Sequence, residues 1–161
     1  MTLDDLDRRI LETLQTNASL TNQALAERVH ASPPTCLRRV RKLMQSGLIE
    51  KQVAILNPDR VGQTLTAICE ITLDKQTANA FEAFEAQVVR ETAVVQCYRV
   101  SPGPDFVVIA HIADMSAYHA LAHRAFTSQH NVRNVRTFFS THRAKFDTRI
   151  PLPGPFNPQK R

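Results

Sequence analysis

Apolar residues in the first fifty positions recur at helical spacing and are interrupted by short polar breaks. Three such stretches occur, at 4–17, 21–30 and 31–47. Apolar positions that repeat every three or four residues predict amphipathic helices. Only a few residues separate the second stretch from the third. Two short helices joined this closely, the second of them basic, are typical of a helix-turn-helix.

The third predicted helix has both ends marked and two different faces. Ser32 suits the N-cap, Pro33 the first helical position, and Gly47 the left-handed residue that follows a helix. The predicted inward stripe consists of Cys36, Leu37, Val40, Leu43 and Met44. The opposite face carries Pro34, Thr35, Arg38, Lys42 and Gln45, with Arg39 and Arg41 on the flanks.

The charge on this helix suggests an anionic partner. No acidic residue occurs between Glu27 and Glu50, so the outward face is positive. Cations neutralise DNA phosphates, and short polar groups near a helix N-terminus can reach base edges in the major groove. A solvated basic face is the alternative for this helix taken alone. The helix-turn-helix order ahead of it favours DNA binding.

The remainder of the chain predicts a second, mixed domain. Residues 48–56 are rich in aliphatic side chains and predict a strand, followed by a turn or short helix at 58–62. Strands are then predicted at 64–74, 94–100, 106–112 and 135–142, and helices at 77–92 and from Ser116 onward. The order β-α-β-β-α-β predicts a ferredoxin-like antiparallel sheet with both helices on one face. The expected fold class is therefore α+β, with an N-terminal winged-type helix-turn-helix.

The second face of this sheet also carries apolar residues. In the predicted last strand, Val135 and Phe139 point to one side and Phe138 to the other. A half-apolar face with no layer over it is usually buried against a partner, so we expect a homodimer through this face. The tail at 146–161 is rich in proline. We expect it to be extended or disordered, or to lie across a neighbouring subunit.

Composition changes this picture only slightly. The 161 residues are 43% hydrophobic and 22% charged, as in a soluble globular protein, and the net charge is +5. No apolar run is long enough to span a bilayer, and the acidic start does not resemble a signal peptide, so we expect a cytoplasmic protein without membrane association. Cys36, Cys69 and Cys97 are odd in number and far apart, which predicts buried, reduced thiols.

The sequence offers little that suggests catalysis or a cofactor. His119 and His123 have metal-ligand spacing, but no nearby Cys, Asp or Glu completes a set, so no metal site is expected. Glycine-rich phosphate loops, nucleophile motifs and paired carboxylates are missing from the sequence. We therefore expect a protein that is not an enzyme and has no cofactor, although related α+β dimers can hold small substrates.

Four strings in this order resemble the Lrp/AsnC (feast/famine) family of bacterial and archaeal transcription regulators. They are LDDLDRRIL, SPPTCLRRVRKL with GLI, DFVVIAHIADMSAY and VRNVRTFFS. The resemblance implies a helix-turn-helix domain with a strand linker at 1–57 and an effector-binding, oligomerising domain at 63–145, followed by the tail at 146–161. It also implies a homodimer that assembles to a tetramer or octamer, and regulation by an amino acid or related small molecule.

The resemblance also assigns candidate sites. Match to the family's recognition helix implies DNA contacts from Ser32, Pro34, Thr35, Arg38, Arg39 and Lys42. The family's effector loop aligns with 101–105, which implies effector contacts from Ser101, Pro102, Gly103 and Asp105, joined by Thr137 and Thr141 from the last strand. Pro102 departs from the family pattern, where glycine is expected, and proline removes one backbone donor. Asp105 has an equal alternative as a cap for backbone N–H groups, and Asp114 is expected to cap a helix.

Taken together, these features predict a regulator that binds double-stranded DNA and responds to a small effector. The dimer would present two basic helices to successive major grooves. Because Pro102 alters the effector loop, an alternative is an architectural DNA-wrapping protein that has no small-molecule effector.

Overall fold

The computed structural model describes residues 3–128 and 131–152 and divides the chain into two compact units. The first unit contains the chain up to Ala54 together with the segment that begins at Lys145. The second unit runs from Ile55 to Ala144. The chain therefore passes from the first unit into the second and then returns.

Three helices form the first unit, as the apolar spacing predicts. They are α1 (Asp5–Thr16), α2 (Asn22–Arg28) and α3 (Pro33–Gln45). Each begins after a polar N-cap, namely Asp4, Thr21 and Ser32, whose side-chain oxygen accepts a backbone N–H from the first turn. These caps satisfy donors that a helix cannot satisfy itself, so the three starting points are fixed locally by the sequence.

The core of this unit is small. Its buried apolar residues are Ile10, Leu11, Leu25, Ala26, Val29, Cys36 and Leu43. The predicted inward stripe of α3 is too wide, because Leu37 and Met44 are 39% and 42% exposed. Only two helices lie against α3, so they cover a narrower arc than the spacing of its apolar residues suggests.

A left-handed residue sets the turn between α2 and α3. His30 has φ of +54°, and its N–H donates to the Glu27 carbonyl at 3.2 Å. The next N–H, from Ala31, donates to the Ala26 carbonyl at 2.9 Å. This is the Schellman pattern that ends many helices, usually with glycine at the left-handed position. Histidine occupies the position where glycine is usual, so no glycine marks this turn in the sequence.

The strand predicted at 48–56 is wrong. These residues form neither helix nor strand, although a short 3-10 helix follows at Pro58–Val61, as expected. A strand needs a neighbour for its N–H and C=O groups. No strand in the described part of the chain pairs with this segment. Its apolar side chains Val53, Ile55 and Leu56 are exposed.

The second unit confirms the predicted ferredoxin-like order. Its elements are β1 (Leu65–Leu73), α4 (Ala78–Val88), β2 (Val94–Arg99), β3 (Phe106–Ile112), α5 (Met115–Ala122) and β4 (Val132–Phe139). The strand order is β2-β3-β1-β4, and neighbouring strands run antiparallel. A single π-helical turn at His123–Thr127 follows α5.

Three predicted boundaries in this unit need correction. The helix predicted at 77–92 is α4, which ends at Val88. Helix α5 starts after Asp114, whose carboxylate accepts the Ala117 N–H at 2.8 Å, and not after Ser116. Asp114 therefore has the capping role expected of it. Strand β4 begins three residues earlier than predicted and ends at Phe139, because its pairing with β1 stops there.

Both helices of the second unit share one core with the inner face of the sheet. The fully or nearly fully buried side chains include Cys69, Ile71, Phe84, Val88, Phe106, Val108, Leu121 and Phe126. The rings of Phe84 and Phe106 lie 4.6 Å apart between centroids, and Phe84 also stacks on Phe126. Val89, the C-cap residue of α4, lies outside this core and is 67% exposed.

The outer face of the sheet carries a second apolar patch, as predicted. On this face, Ile68 of β1 pairs with Ile109 of β3 on one side and with Phe138 of β4 on the other. Tyr98 and Val107 extend the patch along the neighbouring strands. Phe138 is 41% exposed. The sheet therefore has one face under its helices and another that remains partly open.

The three cysteines are unpaired thiols, as expected, although Cys97 is half-buried where full burial was predicted. Burial raises the pKa of all three, so they are protonated at neutral pH. Within the described ranges, no helix is long and apolar enough to cross a membrane.

Candidate nucleic-acid interface and effector region

Helix α3 presents a row of exposed polar and cationic side chains. The row consists of Pro34, Arg38, Arg41, Lys42 and Gln45. Residues three and four apart share one helix face, so these side chains project together. Among the described residues, Arg38, Arg41 and Lys42 have no ion-pair partner, although seven ion pairs occur elsewhere in this part of the chain. Their charges are therefore available to an external anion.

The start of α3 is polar and tightly organised. The Ser32 hydroxyl donates to the Thr35 hydroxyl at 2.8 Å, and it accepts the Thr35 N–H at 3.4 Å. Both residues were predicted to contact DNA. Their side chains already form the N-cap, so Ser32 fixes the helix start, while Thr35 and the exposed Pro34 lie beside the positive end of the helix dipole.

Arg39 is placed differently from its neighbours, because its guanidinium turns toward α1. Its Nη1 donates to Asp4 at 2.6 Å and to both oxygens of Asp7 at 3.1 and 3.2 Å. The Arg39 side chain is 24% exposed, and that of Asp7 only 3%. Its Nε is buried without a hydrogen-bond partner among the described residues. The cluster joins the beginning of α1 to the middle of α3.

Electrostatics strengthen this connection at neutral pH. The Asp7 N–H, together with the Arg39 guanidinium, lowers the pKa of Asp4, so this carboxylate stays charged. A buried carboxylate such as Asp7 is tolerated only with a charged or hydrogen-bonded partner. In the sequence, this pairing is indicated only by the acidic residues at the start of α1. Acidic residues at that position also interact favourably with the helix dipole, so they do not by themselves predict an ion pair with α3. Arg41, the exposed cation that sequence reasoning left out of the site, is three positions beyond Arg38.

The loop predicted to bind an effector joins β2 to β3. Ser101, Pro102 and Gly103 are exposed, and the Ser101–Pro102 peptide bond is cis. Asp105 is buried at the base of the loop. Its carboxylate accepts the Leu73 N–H at 2.7 Å and the Gln76 side-chain amide at 3.3 Å. Asp105 thus caps backbone and side-chain donors at the end of β1.

The two threonines predicted for the same site lie elsewhere on the sheet. Thr137 pairs with Cys69 on the helix-facing side of β4, and its hydroxyl accepts the Tyr118 O–H at 2.6 Å. Thr141 is exposed beyond the end of β4. Asp105 lies near Leu73 at one end of β1. At about 3.3 Å per residue, Thr137 lies opposite Cys69, about 13 Å along the strand from Leu73, and β4 ends opposite Ala67, about 20 Å from Leu73. A single chain therefore does not bring these residues into one pocket.

A shallow, mainly apolar cavity lies at the Leu73 end of the sheet. Its volume is about 260 Å³, and its lining consists of Leu73, Lys75, Ala80, Ala83, Phe84, Asn131 and Val132. Leu73 also receives the Asp105 hydrogen bond, so the cavity and the loop share this residue. Elsewhere on this unit, His119 and His123 are exposed. No group of three or more metal-ligating side chains occurs in the part of the chain that the structure covers.

Comparison with known proteins identifies both units. Residues 3–50 match the family described as winged helix-turn-helix DNA-binding, and residues 66–150 match the Lrp/AsnC ligand binding domain. The leucine-responsive regulatory protein of Salmonella typhimurium is 34% identical over 150 residues, which are 93% of this chain and 92% of that protein. The chain belongs to the Lrp/AsnC family of transcriptional regulators.

Other Lrp/AsnC relatives agree over nearly the whole length. An uncharacterized HTH-type transcriptional regulator of Haemophilus influenzae is 39% identical over 151 residues, 94% of this chain and 90% of that protein. A transcriptional regulator from Neisseria meningitidis, solved in complex with L-Met, has a TM-score of 0.87 and 33% identity. The superposition covers 93% of this chain and 97% of that chain. An AsnC family regulator from Agrobacterium tumefaciens has the same TM-score at 30% identity, with 92% of this chain and 97% of that one covered.

Membership confirms the fold class and the regulatory class expected from the sequence. The chain is a DNA-binding transcriptional regulator with a C-terminal ligand-binding domain. Its relatives are regulators and not enzymes. Helix α3 lies within the residues that match the DNA-binding family, and it carries the row of exposed cations described above.

Arg39 and Arg38 provide a matched pair of variants, because they are adjacent arginines with opposite surroundings. We expect Arg39→Ala to lower the Tm of the DNA-binding unit by about 10 °C, since it leaves Asp7 buried without its partner. Arg38→Ala should leave the Tm nearly unchanged, because its side chain is exposed and unpaired. Thermal unfolding followed by circular dichroism measures both.

The loss of Tm caused by Arg39→Ala should also depend on pH. The pKa of Asp4 is lower in the folded state, so its contribution to stability is present above about pH 4 and is lost as the pH falls further. The Tm difference between Arg39→Ala and the unmodified chain should therefore be largest near neutral pH and narrow in acid. Equal Tm values for the two arginine variants at pH 7 would contradict the inward role of Arg39.

Proposed function

We propose that α3 enters the major groove and that its exposed row binds the operator. Arg38, Arg41 and Lys42 supply charge for the phosphates and for base edges, while Pro34 and Thr35 approach the bases from the helix start. Ser32 acts there as the N-cap. Arg39, which was expected to contact DNA, acts by holding α3 against α1. The observation that carries the proposal is the row of cations without ion-pair partners among the described residues, beside an Arg39 whose Nη1 is bound by Asp4 and Asp7.

Double replacement of the exposed cations tests this proposal. Arg38→Ala with Lys42→Ala should weaken binding to a fragment of the protein's own promoter by about 10- to 100-fold. Loss of two phosphate-neutralising charges per subunit should also make the dependence of log K on log salt shallower by about 2 per subunit. Fluorescence anisotropy at several salt concentrations measures both quantities.

A charge-matched control separates local contacts from net charge. Lys75→Ala with Arg90→Ala removes the same charge from exposed positions of the second unit. This variant should bind with nearly unchanged affinity and salt slope. If the two double variants bind DNA equally well, α3 is not the interface.

The outer face of the sheet supports a homodimer. Ile68, Ile109 and Phe138 form an apolar patch that the helices of the second unit do not cover, because those helices pack on the opposite face. The exposed aliphatic residues of the linker, Val53 and Ile55, add further surface that a second copy can bury. Two copies would present two α3 helices to one operator, and assembly of dimers into tetramers or octamers would extend this to several sites.

A charged side chain on this patch tests the dimer. We expect Phe138→Lys to raise the dimer dissociation constant by at least about 100-fold, because the twofold axis places like charges near one another and desolvates them. Val89→Lys is the control, since Val89 is an exposed apolar residue at the C-cap of α4, outside the patch. Sedimentation velocity over a concentration series gives the dissociation constants. Identical values for both variants would move the dimer contact to another surface.

We further propose that a cytoplasmic amino acid or related small molecule binds near the loop at 101–105 and modulates DNA binding or assembly. The match to a ligand-binding domain and the L-Met complex of a relative at 33% identity support this proposal. Asp105 supports the loop from below and leaves Ser101, Pro102 and Gly103 exposed. Thr141 lies beyond the end of β4 that is farther from this loop, so its participation requires a second subunit, and we propose the same for Thr137, whose hydroxyl is bonded to Tyr118.

A thermal-shift screen against the twenty amino acids tests the effector. A ligand that binds only the folded state at 100 times its dissociation constant stabilises it by about 2.7 kcal/mol, which is readily detected. We expect at least one amino acid to raise the Tm, and Ser101→Lys, which crowds the loop, to reduce that shift. If none of the twenty stabilises the protein, the architectural alternative, DNA wrapping without an effector, is favoured.

A further inference from the structure

The segment at 145–152 lies on the DNA-binding unit, and we call it the strap. The Gln15 side chain near the end of α1 holds its backbone at two points. The Ile150 N–H donates to Gln15 Oε1 at 2.6 Å, and Gln15 Nε2 donates to the Ile150 carbonyl at 3.1 Å. One amide thus satisfies both polar groups of one peptide residue, as a neighbouring strand would. The sequence predicted this tail to be extended, disordered or bound to a neighbouring subunit; its remainder, 153–161, lies outside the described residues.

An apolar contact follows two residues later. Leu152 is half-buried and packs against the core of the first unit. Among the described residues, that core has seven buried apolar side chains, so each added apolar contact is a substantial fraction of the total. The strap also forms one wall of a cavity of about 390 Å³, and Glu12, Gln15 and Thr16 of α1 form the opposite wall.

The strap has its own internal support. Asp147 accepts the Arg149 backbone N–H at 3.0 Å and two further hydrogen bonds, at 2.9 and 2.6 Å, from the Arg149 guanidinium to one carboxylate oxygen. These bonds lower the pKa of Asp147 to about 2, so the carboxylate remains charged under DNA-binding conditions. The turn they form directly precedes Ile150, the residue held by Gln15.

We propose that the strap stabilises the DNA-binding unit and thereby supports DNA binding, although the family match assigns residues up to 150 to the ligand-binding domain. Helix α1 is held near its start by Arg39 of α3 and near its end by the strap. An ordered strap therefore restrains the helix against which the recognition helix rests. This inference relies on the DNA binding of the family and not on the proposed effector.

A double-mutant cycle tests the proposal with the full chain and a chain ending at Ala144. In the full chain, Gln15→Ala should lower the Tm of the DNA-binding unit by about 4–8 °C and weaken DNA binding by about 3- to 10-fold, measured well below the Tm. In the shortened chain, Gln15→Ala should change neither value, because its partner is already gone. Glu12→Ala, on the same cavity wall without a hydrogen bond to the strap, is the control.

A second pair of variants keeps the test decisive if the shortened chain does not fold. Ile150→Pro removes the N–H that donates to Gln15, whereas Ile150→Ala keeps it and trims a side chain that is 71% exposed. We expect Ile150→Pro to reproduce the effect of Gln15→Ala and Ile150→Ala to resemble the unmodified chain. Equal behaviour of the two Ile150 variants, equal effects of Gln15→Ala in both chains, or a lower Tm with unchanged DNA affinity would each overturn the proposal.

Discussion

The DNA-binding unit depends on one guanidinium that two carboxylates share. Arg39 belongs to the helix that we propose binds DNA, yet its guanidinium is paired with Asp4 and Asp7 of α1. With so few buried apolar residues, hydrophobic packing alone leaves the angle between α1 and α3 weakly determined. A nearly buried ion pair has strict geometry and a high penalty for separation, so it fixes that angle. Since Arg39 fixes the position of α3, Arg38, Arg41 and Lys42 are not needed for this purpose. They can remain without ion-pair partners in the described part of the chain, as the proposed binding to DNA requires.

In the second unit, the Asp105 carboxylate stabilises the loop between β2 and β3. The loop between β2 and β3 contains two prolines and a glycine and has few backbone donors for regular pairing. Asp105 compensates by binding the Leu73 N–H, while its own N–H donates to the Ile71 carbonyl. The carboxylate for which the sequence resemblance implies effector contacts therefore supports the loop from within. In both units, an acidic side chain conspicuous in the sequence supports the surface that is expected to bind a ligand.

Sequence patterns predicted the elements well wherever the determining interactions are local. The caps at Ser32 and Thr21 and the alternation in β1 identified helices and strands to within a few residues. The linker at 48–56 was wrong because strand formation depends on a partner that periodicity cannot identify. The direction of Arg39 was also missed, since a long flexible side chain on a helix flank reaches either inward or outward. Only the position of α1 decides between them.

The strap at 145–152 shows why domain boundaries are harder to predict than the elements within them. Its composition marks a loose tail, because proline and charge outnumber apolar residues. What orders it is one glutamine on α1, 135 positions away in the chain, and no local pattern encodes that contact. The consequence is a change of connectivity: the chain joins the two units at two places, near Ala54 and near Lys145. The ligand-binding unit is therefore joined to the DNA-binding unit by two covalent connections, and the second leads to α1, the helix whose carboxylates bind Arg39 of α3.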